Sequence, residues 1–230
     1  MIDIFFWRTP NCSKITIFCE EAGLDYRILP INIGTGDQLT ADYRAINPNA
    51  RVPAIIDHDG SGNQPIRIFK SGAILMYLAE KTGRFLPSDV RKRYEVVQWL
   101  MFQMGGFGPM LGQAHHFRMY AQEQINYAIR RYTNEASRLY GVLDLQLQDK
   151  EFVAVEYSIA DMAIVPWVMP YKRQGQELSN FPNVRRWFDS LKARPAVKKG
   201  LDVGKDLQNS DPFTIDDKTR EILFGVEYGH

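Results

Sequence analysis

The spacing of apolar positions changes period several times within the first 82 residues. Residues 2–7 form a short, mostly apolar and aromatic run, the pattern of a buried strand. Pro10 and Asn11 break that run and open a helix. Ile15, Ile17, Phe18 and Ala22 face inward on this helix, and Gly23 ends it. Residues 26–33 read as a second strand, Gly34-Thr35-Gly36 as a loop and residues 41–46 as a short helix before Asn47-Pro48-Asn49. Residues 53–56 and 66–69 read as two arms of a hairpin joined across Asp59-Gly60-Ser61-Gly62-Asn63. Residues 71–81 carry Ala73, Ile74, Tyr77 and Leu78 at helical spacing.

After residues 83–87 the strand patterns stop. Residues 91–102 and 122–147 have helical periodicity, and Gly105-Gly106-Phe107-Gly108-Pro109 is expected to kink or locally unwind the first of these helices. Ser158-Ile159-Ala160-Asp161 fits a capping box, with Asp in place of Glu or Gln, before an apolar helix through Val168. Residues 182–191 predict a further helix, closed by Arg194-Pro195. The last stretch mixes charges and prolines without periodicity, as a surface or partly mobile segment would. The pattern therefore predicts an α/β domain over 1–84, an all-helical domain over 91–204 and a tail over 205–230.

Composition narrows the class of function. A chain of 230 residues with a net charge of +1 gives no electrostatic reason for a nucleic-acid or anionic-membrane partner. No apolar run approaches the ~20 residues of a membrane span, and Asp3 interrupts any signal-like apolar core. Two cysteines make no disulfide framework, so a reducing cytosol is expected. Cys12 and Cys19 on one helix would lie about 10 Å apart, too far to bridge.

Candidate chemistry gathers at three turns. In Arg51-Val52-Pro53-Ala54, a cis bond at Pro53 would leave the Val52 backbone facing outward, able to pair with an extended peptide. Ser71 follows a strand and opens a helix, whose N–H groups attract a carboxylate. Thr9-Pro10-Asn11 places a hydroxyl and an amide at another strand-to-helix turn. Together they suit a small, extended, acidic, thiol-containing peptide.

The order βαβ, helix, ββα is the thioredoxin-like arrangement, followed here by helices alone. With Arg51-Val52-Pro53-Ala54, Lys70-Ser71-Gly72-Ala73-Ile74 and Ser158-Ile159-Ala160-Asp161-Met162-Ala163, the chain resembles the cytosolic glutathione transferase superfamily over nearly its whole length to about residue 204. Thr9-Pro10-Asn11-Cys12-Ser13-Lys14, Gln98-Trp99-Leu100 and the run from Gly105 to Gln113 are similar to its Nu class. The resemblance implies a thioredoxin-like domain followed by a helical glutathione-transferase domain, and a homodimer. It also implies binding of glutathione or glutathione disulfide, and disulfide-bond reductase activity with modest transferase or peroxidase activity. The second substrate would be a small-molecule disulfide or an electrophile. No metal and no tightly bound organic cofactor is expected.

Residue roles follow from that resemblance, each beside a plainer reading. Thr9 and Asn11 would hold the glutathione sulfur as thiolate; as plain structure they are cap and turn residues. Val52 would pair with the cysteinyl backbone. Arg51 and Gln38 would approach the glycyl carboxylate, with surface polarity as the alternative. Ser71 would take the γ-glutamyl carboxylate. Lys70 stands where the family usually has Glu or Gln for the γ-glutamyl ammonium, and its sign disfavours that contact. Arg131 would frame the mouth of the site, or belong to a solvated helix face. Cys12 lies in a first helical turn, where the dipole favours thiolate, with packing as the competing role. His115 and His116 read as structural or rim residues, and Trp99, Phe102, Trp167 and Trp187 as packing aromatics or pocket lining. A non-catalytic regulatory or binding protein retaining the fold is the main alternative function; a dehalogenase or isomerase using glutathione is the third.

Overall fold

In the computed structural model, which describes residues 1–207 and 216–225, the first part of the chain forms one four-stranded mixed sheet with helices against it. The strands are β1 (Ile2–Phe6), β2 (Tyr26–Pro30), β3 (Ala54–Asp57) and β4 (Ile66–Phe69), in the spatial order β2-β1-β3-β4. β1 runs parallel to β2, which requires the crossover helix α1 (Pro10–Ala22). β3 is antiparallel to both β1 and β4, as a hairpin arm must be. Helix α2 (Ala41–Ile46) precedes β3, and α3 (Ser71–Thr82) follows β4. This is the thioredoxin-like order expected from the apolar pattern.

α1 is buried continuously from Cys12 to Cys19, so it is not an ordinary one-faced helix. One side meets the sheet, and the others are covered by α3, α7 (Ile159–Val168) and α9 (Pro195–Asp202). Thr9 caps its start by accepting from the Cys12 N–H at 3.3 Å, with Pro10 at the first position, where no N–H is needed. Gly23 ends it at φ 68°, a left-handed position that costs glycine little.

The second part of the chain is helical. α4 (Val90–Phe102) passes through a π-helical turn, Gln103–Phe107, into α5 (Gly108–Met119). The expected interruption at the glycines is therefore a widened turn carried through the helix, a form that recurs at functional sites. α6 (Asn126–Gln146) starts four residues later than its periodicity suggested, because residues 122–125 are not helical. α8 (Pro182–Ala193) buries Val184, Trp187, Phe188 and Leu191 at the spacing of one helix face.

The capping box at Ser158 forms as expected and fixes the start of α7. Buried Asp161 accepts from the Val153 N–H at 3.0 Å, the Ser158 N–H at 3.1 Å and Trp187 Nε1 at 2.9 Å. Burial pushes its carboxyl up to about 6 against the pull of these donors. Within the expected tail, α10 (Asp217–Arg220) and a π-helical turn, Glu221–Gly225, are ordered elements; residues 208–215 and 226–230 lie outside the described residues. No helix among the described residues is long and apolar enough to cross a membrane.

Candidate functional site

A cleft of about 920 Å³ opens between the C-terminal end of β1 and helices α5 and α7. Thr9, Asn11, Gln38, Arg51 and Val52 line its sheet side. Gly112, His115, His116, Tyr120 and Trp167 line its helical side, and Thr219, Leu223 and Phe224 roof it from the C-terminal segment. The cleft lies at the carboxyl ends of strands, where α/β folds place their ligands.

Thr9 is both a helix cap and a candidate donor. Its oxygen accepts the Cys12 N–H, and its hydroxyl hydrogen has the Cys12 sulfur within reach, so a ligand sulfur at the cleft would compete with Cys12 for it. The neighbouring Asn11 N–H is among the first-turn donors without an intrahelical partner. The Asn11 side chain is oriented from across the cleft: Trp167 Nε1 donates to Asn11 Oδ1 at 2.9 Å. An indole N–H can only donate, so the oxygen must face Trp167 and the amide NH₂ remains free to donate elsewhere. Gly112 lies against the Trp167 ring, where an added Cβ would come into van der Waals contact at 3.4 Å. Sequence reading gave Trp167 only packing or pocket lining; its hydrogen bond joins residues 156 positions apart.

The Val52–Pro53 peptide bond is cis. Among the described residues, the Val52 N–H and C=O form no backbone hydrogen bond in the loops or caps. The Arg51 carbonyl is held by Tyr43 Oη at 2.8 Å and by Asn47 Nδ2, so the loop presenting Val52 is fastened from behind. Gln38 is almost fully buried, which removes the reading of surface polarity. Its Nε2 donates to the Ile33 carbonyl at 3.2 Å, and its Oε1 is buried without a partner at the cleft.

Ser71 and Lys70 belong to the same neighbourhood but not to the cleft lining. Ala54 pairs with Phe69 across β3 and β4. Continuing that register brings Lys70 abreast of Pro53 and Ser71 abreast of Val52. Lys70 is exposed and has φ 70°, a left-handed backbone strained for any residue but glycine. Arg131 is exposed on α6 and is not among the residues lining the cleft.

Both cysteines are free and buried. Burial pushes the Cys12 thiol up to about 12, and Cys19 likewise to about 12. Desolvation thus outweighs the helix dipole that sequence reading credited at Cys12. His115 is buried and stacks on Tyr120 with ring centroids 5.0 Å apart. Burial, with help from Arg173 and His116, lowers its pKa to about 4, so it is a neutral wall residue. His116 meets the edge of the Phe224 ring at 4.6 Å. The largest omission of sequence reading is Lys14, fully buried at the base of Ser71 with Nζ 3.2 Å from its Oγ.

Comparison with known proteins gives a consistent answer. The family described as "Glutathione S-transferase, N-terminal domain" matches residues 9–81. Disulfide-bond oxidoreductase YfcG of Escherichia coli is 48% identical over 203 residues, 87% of this chain and 94% of that protein. The crystal structure of a glutathione transferase from Pseudomonas putida, with one glutathione disulfide bound per subunit, matches with a TM-score of 0.85 at 42% identity. That match covers 88% of this chain and 91% of the other. A glutathione transferase from Burkholderia graminis, with two glutathione molecules bound per subunit, gives a TM-score of 0.84 at 42% identity, covering 89% and 88%. With this identity spread over nearly the full length of the relatives, and with the cis-proline loop and capped α1 in place, the chain belongs to the glutathione transferase family.

Proposed function

We propose that this chain is a glutathione-dependent disulfide-bond reductase. The observation that carries the reading is the contrast between its own thiols and its cleft. Both cysteines are buried, and burial holds Cys12 as a thiol although the Thr9 hydroxyl reaches its sulfur, while Thr9 and the Asn11 amide stand at the cleft where a ligand sulfur could take their donors. The reducing thiol therefore comes from the ligand. A free thiol titrates near ~8.5, and two fixed donors at a helix N-terminus favour its anion.

The bound thiolate attacks one sulfur of a disulfide. A new S–S bond forms to glutathione, the old S–S bond breaks, and its electron pair leaves on the second sulfur, which takes a proton from solvent. A second glutathione thiolate then attacks the mixed disulfide, giving glutathione disulfide and the second thiol. A cleft of about 920 Å³ stands at the upper end of the range for small-molecule sites, which supports two peptides held side by side. In this arrangement a thioredoxin-like domain over 1–84 holds the peptide. The Val52 backbone pairs with its cysteinyl unit, Arg51 and Gln38 approach the glycyl carboxylate, and Ser71 takes the γ-glutamyl carboxylate. The helical domain over 91–204 covers the sulfur, and Arg131 frames the mouth. Transfer to electrophiles and reduction of organic peroxides use the same thiolate. A homodimer in the cytoplasm completes the reading; exposed Val90, Tyr94 and Met101 along α4 supply an apolar face for a second copy.

The assay is turnover of hydroxyethyl disulfide by glutathione, coupled to glutathione reductase. Steady oxidation is expected; binding of glutathione with no turnover would leave the catalytic reading without support. Lys70, with its charge turned against the γ-glutamyl ammonium, favours one competitor, a non-catalytic binding protein on the same fold. A thermal-shift titration in which neither glutathione nor its disulfide moves the melting temperature would select that competitor.

A further inference from the structure

Lys14 is a buried amine that the reading above leaves without a task. It lies in the second turn of α1 and is fully buried. Its Nζ is 3.2 Å from Ser71 Oγ, 2.6 Å from Gln103 Oε1 and 3.6 Å from Met104 Sδ. Among the described residues no carboxylate pairs with it, and its partners are neutral. An unpaired buried ammonium is costly, and burial holds the pKa of this one well below the ordinary lysine value.

The surroundings are built around the amine. A Cβ on Gly72 would come 2.9 Å from Met104 Cγ, and one on Gly108 would come 2.5 Å from Gln103 Nε2. Gly72 lets the start of α3 close against Met104, and Gly108 leaves room for the Gln103 side chain that reaches Lys14.

Two hydrogen-bonding states fit the same heavy atoms. As an ammonium, Lys14 has three N–H donors for three acceptors: Ser71 Oγ, Gln103 Oε1 and Met104 Sδ. The Ser71 hydroxyl hydrogen then has only the weak acceptor Met104 Sδ, at 3.6 Å, and a ligand carboxylate can take it over. As a neutral amine, Lys14 has two N–H donors and one lone pair. Ser71 can then donate to that lone pair, and it has no second hydrogen to offer.

Few other charges face the amine. On α1, Cys12 is held neutral by burial. On α3, Lys70 precedes Ser71 and is exposed, while Glu80 and Lys81 lie at the far end, paired with Arg93 and Asp57. The π-helical turn carries no titratable group. From α7, Asp161 is held by its own cap; from α9, Lys198 is exposed and Lys199 pairs with Glu20 at 2.7 Å.

We propose that Lys14 is a positioning residue that gains a proton when a ligand carboxylate occupies the Ser71 hydroxyl, so that the γ-glutamyl end of the peptide binds together with one proton from solvent. This rests on the glutathione reading of the site. A carboxylate one hydroxyl away raises the proton affinity of the amine. The protonated amine in turn donates to Ser71 Oγ and releases the hydroxyl hydrogen to the carboxylate. Each event favours the other by the same factor.

The test is calorimetry with S-methylglutathione, which has no thiol to ionise, at about pH 7.5 in buffers of different ionisation enthalpy. Net proton uptake is expected. It disappears with the S-methylated analogue in which 4-aminobutyrate replaces the γ-glutamyl unit, because that carboxylate is gone. Lys14→Met abolishes the uptake and weakens S-methylglutathione about tenfold. If Lys14→Met does not fold, Ser71→Ala is expected to lose the uptake as well, and the analogue comparison needs no variant. Binding without uptake, or with equal uptake for both ligands, overturns the proposal and leaves the glutathione reading intact. No binding of either ligand overturns both.

Discussion

The Asn11 amide is left with its NH₂ group to donate because Trp167 occupies its oxygen. Trp167→Phe keeps the ring and removes the N–H, so the amide is free to rotate. The expected result is a fall in kcat of about tenfold with little change in KM, measured by steady-state turnover of the disulfide substrate. At Lys70 the expected change is a gain: Lys70→Glu restores a partner for the γ-glutamyl ammonium and tightens glutathione binding in a calorimetric titration. Unchanged or weaker binding would mean that the ammonium is held elsewhere. That Thr9, Asn11 and Val52 come to one cleft was legible in the sequence, because each falls at a strand-to-helix turn or beside a proline and such breaks can be read locally; Ser71, picked on the same ground, lies outside the lining. Lys14 was not legible. A lysine in the second turn of a helix reads as a solvated face, and its burial is decided by Ser71 and Gln103, which lie 57 and 89 positions away.

Among the elements, α7 depends most on a single side chain. Asp161 satisfies donors from Val153, Ser158 and Trp187 in a fully buried place. Asp161→Ala leaves them without an acceptor and is expected to cost about 3–5 kcal/mol. The melting temperature should fall by roughly 10 °C. The capping box could be read because its signature is local, whereas the π-helical turn could be read only as an interruption. Glycines announce that a helix changes there, but not that the Gly108 N–H reaches back to the Gln103 carbonyl, the bond that widens the turn. On α5, buried His115 makes stability depend on pH. Its pKa is about 4 when folded and near ~6.5 when unfolded, so between these values the unfolded chain binds the extra proton. Stability therefore falls as pH drops through that window. His115→Phe should flatten the slope in denaturant titrations between about pH 6.5 and 4.

At the scale of the whole molecule, α1 belongs to both parts of the fold. Thr16 Oγ1 donates to the Gly200 carbonyl at 2.7 Å, and a Cβ on Gly200 would meet Ile17 N at 2.6 Å, so α1 and α9 touch backbone to backbone. The α/β order and the helical remainder were readable from periodicity alone. That α1 is enclosed on every side was not, since α9 lies nearly the whole chain away.

The hydrogen bond from Trp167 to Asn11 gives this construction a measurable consequence. Asn11 opens α1 beside the sheet and Trp167 lies on α7, so the orientation of the proposed sulfur donor depends on how these two elements sit against each other. Turnover then works as an internal gauge of their alignment. In mild denaturant, activity is expected to vanish at a lower concentration than the far-ultraviolet circular dichroism signal, and loss of both together would show that the two elements never separate short of full unfolding.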